Sequence, residues 1–196
     1  MPSYEYDLRY LQAGIDQLEA YLLAEELYWP VGVSAPKGQP PYPQLTPGGL
    51  LLARQRLKAT TETPAKQAEL GRLEGQLDAL RGQWRTAWGK KARQDFHARL
   101  KLWRDFLEEY REKPSAHYDR YAYEVGRRAQ LHLLAPEAID LPTAETQTLA
   151  TLDKLLRAVF NPGAFVWEER LASSFPSTPF WYLYGRLGEE IIEAGS

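Results

Sequence analysis

The chain has 196 residues, 44% hydrophobic and 26% charged, which is ordinary for a globular protein with an ample core. It has no cysteine, so disulfides, a thiolate nucleophile and cysteine-based metal sites are excluded. Its acidic start does not resemble a signal peptide, and no apolar run approaches the ~20 residues of a membrane span, so we expect a cytoplasmic protein without membrane contact.

The first predicted helix covers residues 3–27. Its apolar residues return every three or four positions and form two adjacent stripes, which indicates packing against two neighbours. The helix ends before Trp29 and Pro30, since a residue that precedes proline avoids the helical region.

Residues 30–47 hold six prolines and are predicted to be a connecting loop of polyproline character. We interpret this loop as a rigid crossover strap held in place by Tyr42 and Leu45. The PxxP pattern at residues 40–43 leaves a peptide-ligand motif as the alternative.

Two threonine–proline pairs mark helix starts, because a hydroxyl cap followed by proline favours the first helical turn. Thr46 with Pro47 begins a predicted helix over 47–59, and Thr63 with Pro64 opens a proline-free central stretch, residues 64–113. We therefore expect an all-α bundle of about six to eight helices around this stretch, in a single domain over residues 1–196.

The first half of the central stretch carries a heptad with glycine at one recurring position, Gly75, Gly82 and Gly89. Glycine on an exposed helix face costs roughly 1 kcal/mol relative to alanine. We therefore predict that the small-residue face is covered by another helix at close approach, or by a second copy of the chain. Tolerated surface glycines are the alternative.

The central stretch is too long for one compact helix. About 49 helical residues would extend ~73 Å, and the apolar stripe turns by roughly one residue of phase, ~100°, near Gly89. We predict a break there, with one continuous helix as the alternative.

The C-terminal part is predicted to be helical throughout. Helices are expected from Ser115 to about Leu134, from Thr143 onward, over residues 165–172, and from Thr178 to Ile191. No stretch alternates long enough to predict a sheet.

The charge is unevenly distributed although the chain carries only −2 overall. Residues 81–104 hold eight bases and one acid. Arginines interleaved with aromatic residues can bind phosphates and stack bases, which makes a nucleic-acid interface one hypothesis. The isoelectric point near 6.0 argues against it. The bases are Arg81, Arg85, Lys90, Lys91, Arg93, Arg99, Lys101 and Arg104.

Neither a catalytic nor a metal motif is recognisable. The three histidines lack Glu-x-x-His and His-x-x-x-His spacing, and no nucleophile elbow or phosphate loop occurs. We predict a non-enzymatic protein without cofactor that acts by binding a protein partner or itself, with nucleic-acid binding as the alternative. Aromatic residues in or beside loops are candidate interface anchors: Tyr28, Trp29, Tyr42, Trp181 and Tyr182.

Overall fold

The computed structural model describes residues 2–190 and shows a helical bundle with one small sheet. The helices are α1 (Tyr4–Leu23), α2 (Pro47–Ala59), α3 (Pro64–Gln83), α4 (Arg85–Glu112), α5 (Pro114–His117), α6 (Tyr121–Leu134) and α7 (Thr143–Val159). The strands are β1 (Phe160–Phe165) and β2 (Tyr184–Leu187). The predicted all-α class is confirmed. No helix among the described residues is long and apolar enough to cross a bilayer.

Helix α4 is the centre of the bundle. It packs against α1, α2, α3, α6 and α7, and its inward face is almost fully buried. Phe96, Trp103 and Tyr110 on that face have no exposed surface. The predicted central element is therefore present, as the second half of the proline-free stretch.

Hydroxyl caps fix three helix starts. The Ser3 side chain accepts the N–H of Tyr6, Thr46 accepts the N–H of Gly49, and Thr63 accepts that of Lys66. The bounds predicted for α2 are confirmed, because cap and proline signals coincide there.

The proline-rich loop is a strap, as predicted. Trp29 and Leu45 exchange two backbone hydrogen bonds, which close the loop at its base. The Tyr42 ring lies 4.6 Å from that of Tyr6, and its hydroxyl donates to the Tyr6 carbonyl. Leu45 is fully buried, so the strap is held by the two side chains that the sequence singled out.

The prediction that another helix of the chain covers the small-residue face of α3 is wrong, while cover by a second copy stays a prediction. A Cβ added at Gly75 or Gly82 would meet no atom within 4 Å, and both residues are exposed. The helix docks through its leucines, of which Leu70, Leu73 and Leu77 are buried. Of the three heptad glycines, only Gly89 makes a close approach: a Cβ there would collide with Ile139.

The central stretch is broken, but at Trp84 rather than near Gly89. Trp84 has φ −110° and ψ 35°, which leaves the helical region, while Gly89 stays within α4. The glycine serves the contact with Ile139 instead of interrupting the helix.

The C-terminal predictions are partly wrong. Instead of two helices, residues 165–190 contain 3₁₀ turns at Glu169–Ser174 and Trp181–Leu183 and the strand β2, which pairs antiparallel with β1. A register irregularity separates Pro162 and Phe165. Residues 115–134 divide into α5, a 3₁₀ turn and α6. The predicted end at Ile191 lies outside the described residues.

Alanine at the exposed glycines should stabilise the protein. We expect Gly75→Ala and Gly82→Ala each to raise the free energy of unfolding by roughly 0.5–1 kcal/mol, because alanine restricts the unfolded chain and nothing blocks its methyl group. Gly89→Ala should lower stability, since overpacking against Ile139 costs about 1–3 kcal/mol. Urea unfolding followed by circular dichroism measures all three. Equal gains at the three positions would contradict the packing described for Gly89.

Candidate functional site

An open groove lies where α3 gives way to α4. The chain stays hydrogen-bonded through the break: Trp84 N–H donates to Leu80 O, and Trp88 N–H donates to Trp84 O, each at 2.9 Å. The interruption turns residues 83–87 toward the C-terminal end of α1. Between these segments is a cavity of about 710 Å³.

The groove has an apolar part and a cationic part. Leu22, Ala24, Trp84 and Ala87 supply the apolar surface. The polar lining comes from α4 and its neighbours: Glu25, Gln83, Arg85, Thr86, Lys90, Lys91 and Gln94. A second depression of about 440 Å³ shares Glu25 and Gln94 and continues past Arg93 to His97 and Glu145.

The predicted basic cluster divides into paired and unpaired members. Arg81 binds Glu137 and Asp78, Arg99 binds Asp95, and Lys101 binds Asp105. Arg104 lies 3.8 Å from Glu108. These four bases are therefore paired with acids inside the fold.

Four of the eight bases have no ion pair within residues 2–190: Arg85, Lys90, Lys91 and Arg93. Lys91 is buried and binds a backbone carbonyl instead. Arg85 and Lys90 are exposed, and Arg93 is half-buried. All three line the groove or its extension. The residual positive charge of the segment is thus concentrated on this one surface.

Lys91 closes the base of the groove. It is only 4% exposed, donates to the backbone carbonyl of Glu26 and lies 4.7 Å from the Tyr21 ring centre. Burial lowers the pKa of Lys91, and the carboxylates of Glu26 and Glu25 partly oppose that effect. The side chain fixes the end of α1 on α4 rather than reaching toward solvent.

The aromatic residues of the segment are core residues. Trp88, Phe96 and Trp103 are at most 3% exposed. Trp88 donates its indole N–H to Glu137, and the Arg81 guanidinium lies 5.1 Å from the Trp88 ring centre. These rings offer no face for stacking a base. Half-buried Trp84 is the aromatic residue that lines the groove.

The predicted loop anchors mostly pack within the molecule. Tyr182 is fully buried, so its assignment to an interaction surface is wrong. Trp181 is half-buried beneath Arg157, 3.6 Å from its ring centre, and Trp29 is held in the base of the strap. Tyr28 remains 45% exposed.

The histidines occupy three separate environments. His97 lies 2.7 Å from Glu145, His117 contacts Arg120, and the half-buried His132 meets Phe180 edge-on. Burial, and secondarily the charge of Arg128, lowers the pKa of His132. Within residues 2–190 no group of three or more potential ligands is arranged to hold a metal ion.

Comparison with known proteins adds no assignment. No protein-family model, curated protein or solved structure matches this chain.

Sequence reasoning located the cations Arg85, Lys90 and Arg93 but missed the surfaces that complete the groove. Leu22, Ala24 and Glu25 come from the end of α1, about 60 positions earlier in the chain. The long-range acidic partner Glu137 was also missed, because no local pattern connects residue 137 with residue 81. Had the helix break been predicted at Trp84 instead of near Gly89, it would have located the site.

Proposed function

We propose that this is a non-enzymatic binding protein whose groove receives an acidic, amphipathic segment of a partner protein. The observation that carries the proposal is the arrangement of Arg85, Lys90 and Arg93, which have no ion pair within residues 2–190, along one groove with an apolar part. Complementary charge both attracts such a segment and fixes its register.

The dimensions suit a short helical or extended segment. From Arg85 to Arg93, α4 advances about 12 Å at ~1.5 Å per residue, a little over two helical turns. A partner that places acids over these positions can set one apolar side chain into the surface formed by Leu22, Trp84 and Ala87. Helix-in-groove recognition commonly combines such apolar anchors with a charged border.

The groove favours a protein partner over a nucleic acid. Glu25 lies in the groove and Glu145 in its extension, so a continuous phosphate backbone would meet negative charge at both. A peptide can place a donor or an apolar side chain at those points.

Fluorescence anisotropy with a designed peptide tests the proposal. The probe is a labelled amphipathic peptide of glutamate, alanine and leucine, about 15 residues long so that it can form a helix. The comparison peptide carries lysine in place of glutamate. We expect the acidic probe to bind at low salt and to weaken as salt is added, because exposed charges are screened.

A charge-reversed groove should lose this binding. The double variant Arg85→Glu with Lys90→Glu is expected to bind the acidic probe at least about tenfold more weakly. The matched control is Lys37→Glu with Lys154→Glu, which changes the same charge at exposed positions away from the groove. Equal affinity in both variants, or tighter binding of a short oligonucleotide than of the acidic probe, would overturn the proposal.

A further inference from the structure

The exposed face of α1 carries an acidic stripe, Asp16 to Leu23, whose Leu23 end lies at the edge of the groove. Asp16, Glu19, Ala20 and Leu23 follow one another at helical spacing, and all four are exposed. Leu23 is 62% exposed, which is unusual for leucine in an otherwise well-packed helix. Neither Asp16 nor Glu19 has an ion pair within the described residues; Asp16 accepts only the amide of Gln12.

The stripe has the chemistry that the proposed function assigns to the groove's ligand. It combines two carboxylates with one projecting apolar side chain. From Asp16 to Leu23 it extends about 10 Å, against about 12 Å from Arg85 to Arg93.

The stripe and the groove are neighbours on the same surface. Leu23 lies between Leu22 and Ala24, which both line the groove. The stripe therefore begins at the groove's edge and leads away from it, so one copy cannot place its own stripe in its own groove. A second copy can, because a two-fold axis brings each of two adjacent patches onto the other.

We propose that the segment bound in the groove is the α1 stripe of a second copy of this chain, which gives a two-fold symmetric dimer. The inference rests on the proposed function and names its partner. Glu19 and Asp16 of one protomer lie against Arg85 and Lys90 of its partner, and Leu23 enters the apolar part of the groove. The same contacts recur across the axis.

The dimer should be weak and salt-sensitive. Its contacts are short and largely charged, and interfaces below the standard size of about 1,600 Å² are typically transient. We expect sedimentation analysis at low salt to show a monomer–dimer equilibrium that moves toward monomer as salt or dilution increases.

Charge exchange between two variants gives the sharpest test. Variant one reverses the stripe with Asp16→Lys and Glu19→Lys, and variant two reverses the groove with Arg85→Glu and Lys90→Glu. Alone, each should dimerise at least about tenfold more weakly than the original chain. Mixed, they should form a heterodimer, because the positive stripe of one meets the negative groove of the other and the reverse contact is also complementary.

The control is Glu62→Lys, an exposed residue between α2 and α3 that lies outside both the stripe and the groove and should leave the equilibrium unchanged. A protein that stays monomeric at about 1 mM while its groove still binds the acidic probe would overturn the dimer and leave the proposed function standing. A dimer that survives both reversals would also overturn the inference. If the unsubstituted chain does not bind the acidic probe, both proposals are overturned.

Discussion

Replacing Asp95 with alanine should lower the free energy of unfolding by about 3–5 kcal/mol, the usual cost of removing one partner from a buried ion pair. Asp95 is fully buried in α4, where it accepts the N–H of Gly48 at 2.7 Å and the Nε–H of Arg99 at 3.0 Å. The substitution leaves the guanidinium and a backbone donor of the first turn of α2 without their acceptor. Denaturant unfolding followed by far-ultraviolet circular dichroism measures the loss.

Asp105 provides the matched control on the same helix. Its carboxylate lies 2.7 Å from Lys101, but both side chains are substantially exposed. Surface pairs of this kind contribute roughly 0–1 kcal/mol, so Asp105→Ala should be nearly neutral. Comparable losses at the two aspartates would contradict the role assigned to Asp95 as a buried connection between α4 and α2.

Replacing Trp103 with alanine should destabilise the protein by about 3–5 kcal/mol, because the change opens a large cavity at the centre of the bundle. Trp103 is fully buried, with its ring 5.6 Å from that of Phe106 and 6.5 Å from that of Tyr121. The loss should appear as a lower denaturation midpoint with an unchanged slope against denaturant.

Trp103→Phe separates volume from hydrogen bonding at the same position. The indole N–H of Trp103 is buried and has no acceptor among residues 2–190. Phenylalanine removes that unsatisfied donor while it keeps most of the ring contacts, so its cost should be well below that of alanine. A phenylalanine variant as unstable as the alanine variant would show that the indole N–H does have a partner.

The helical part of the fold was largely predictable from the sequence. Apolar spacing identified α1, and the pairs Thr46–Pro47 and Thr63–Pro64 placed the starts of α2 and α3, because cap geometry depends on only a few adjacent residues. The strap was also predictable from local signals: six prolines in residues 30–47 prevent a regular helix there, and Tyr42 is its one large aromatic residue.

The sheet was not predictable because pairing between β1 and β2 is a tertiary event. The strand Phe160–Phe165 contains Asn161, Pro162 and Gly163, which read locally as a turn. Its partner, four residues long, follows a 3₁₀ turn. Neither strand shows an alternation of polar and apolar residues. Local periodicity therefore favoured helices over residues 165–172 and from Thr178 onward.

The misjudged glycines show where periodicity fails. Gly75 and Gly82 recur on one face, but a periodic face states only that residues lie side by side, not that anything covers them. At Gly89 the same repeat does meet a neighbour, Ile139. Which outcome applies depends on the course of the connection between α6 and α7, and the glycine pattern contains no information about that connection.

The candidate site was half predictable. Clustering of Arg85, Lys90 and Arg93 is visible in the sequence, since all lie within three helical turns. Their lack of ion pairs within residues 2–190 is not visible, because a sequence does not show which acids a base will reach: Arg81 pairs with the local Asp78 and also with the distant Glu137. Glu137, which holds Arg81 and Trp88, precedes α7. Burial of Lys91 likewise follows from the position of α1.

The two backbone hydrogen bonds between Trp29 and Leu45 make the strap a practical place to insert a reporter peptide. Since the loop is already closed at its base, lengthening its tip near Lys37 and Gly38 adds little closure entropy, about 0.6 kcal/mol for each doubling of length. Both tip residues are exposed, and an alanine-sized group at Gly38 would meet no neighbour within 4 Å. An epitope or fluorophore-binding peptide inserted there would report on the molecule while leaving α1 and α4 uncovered.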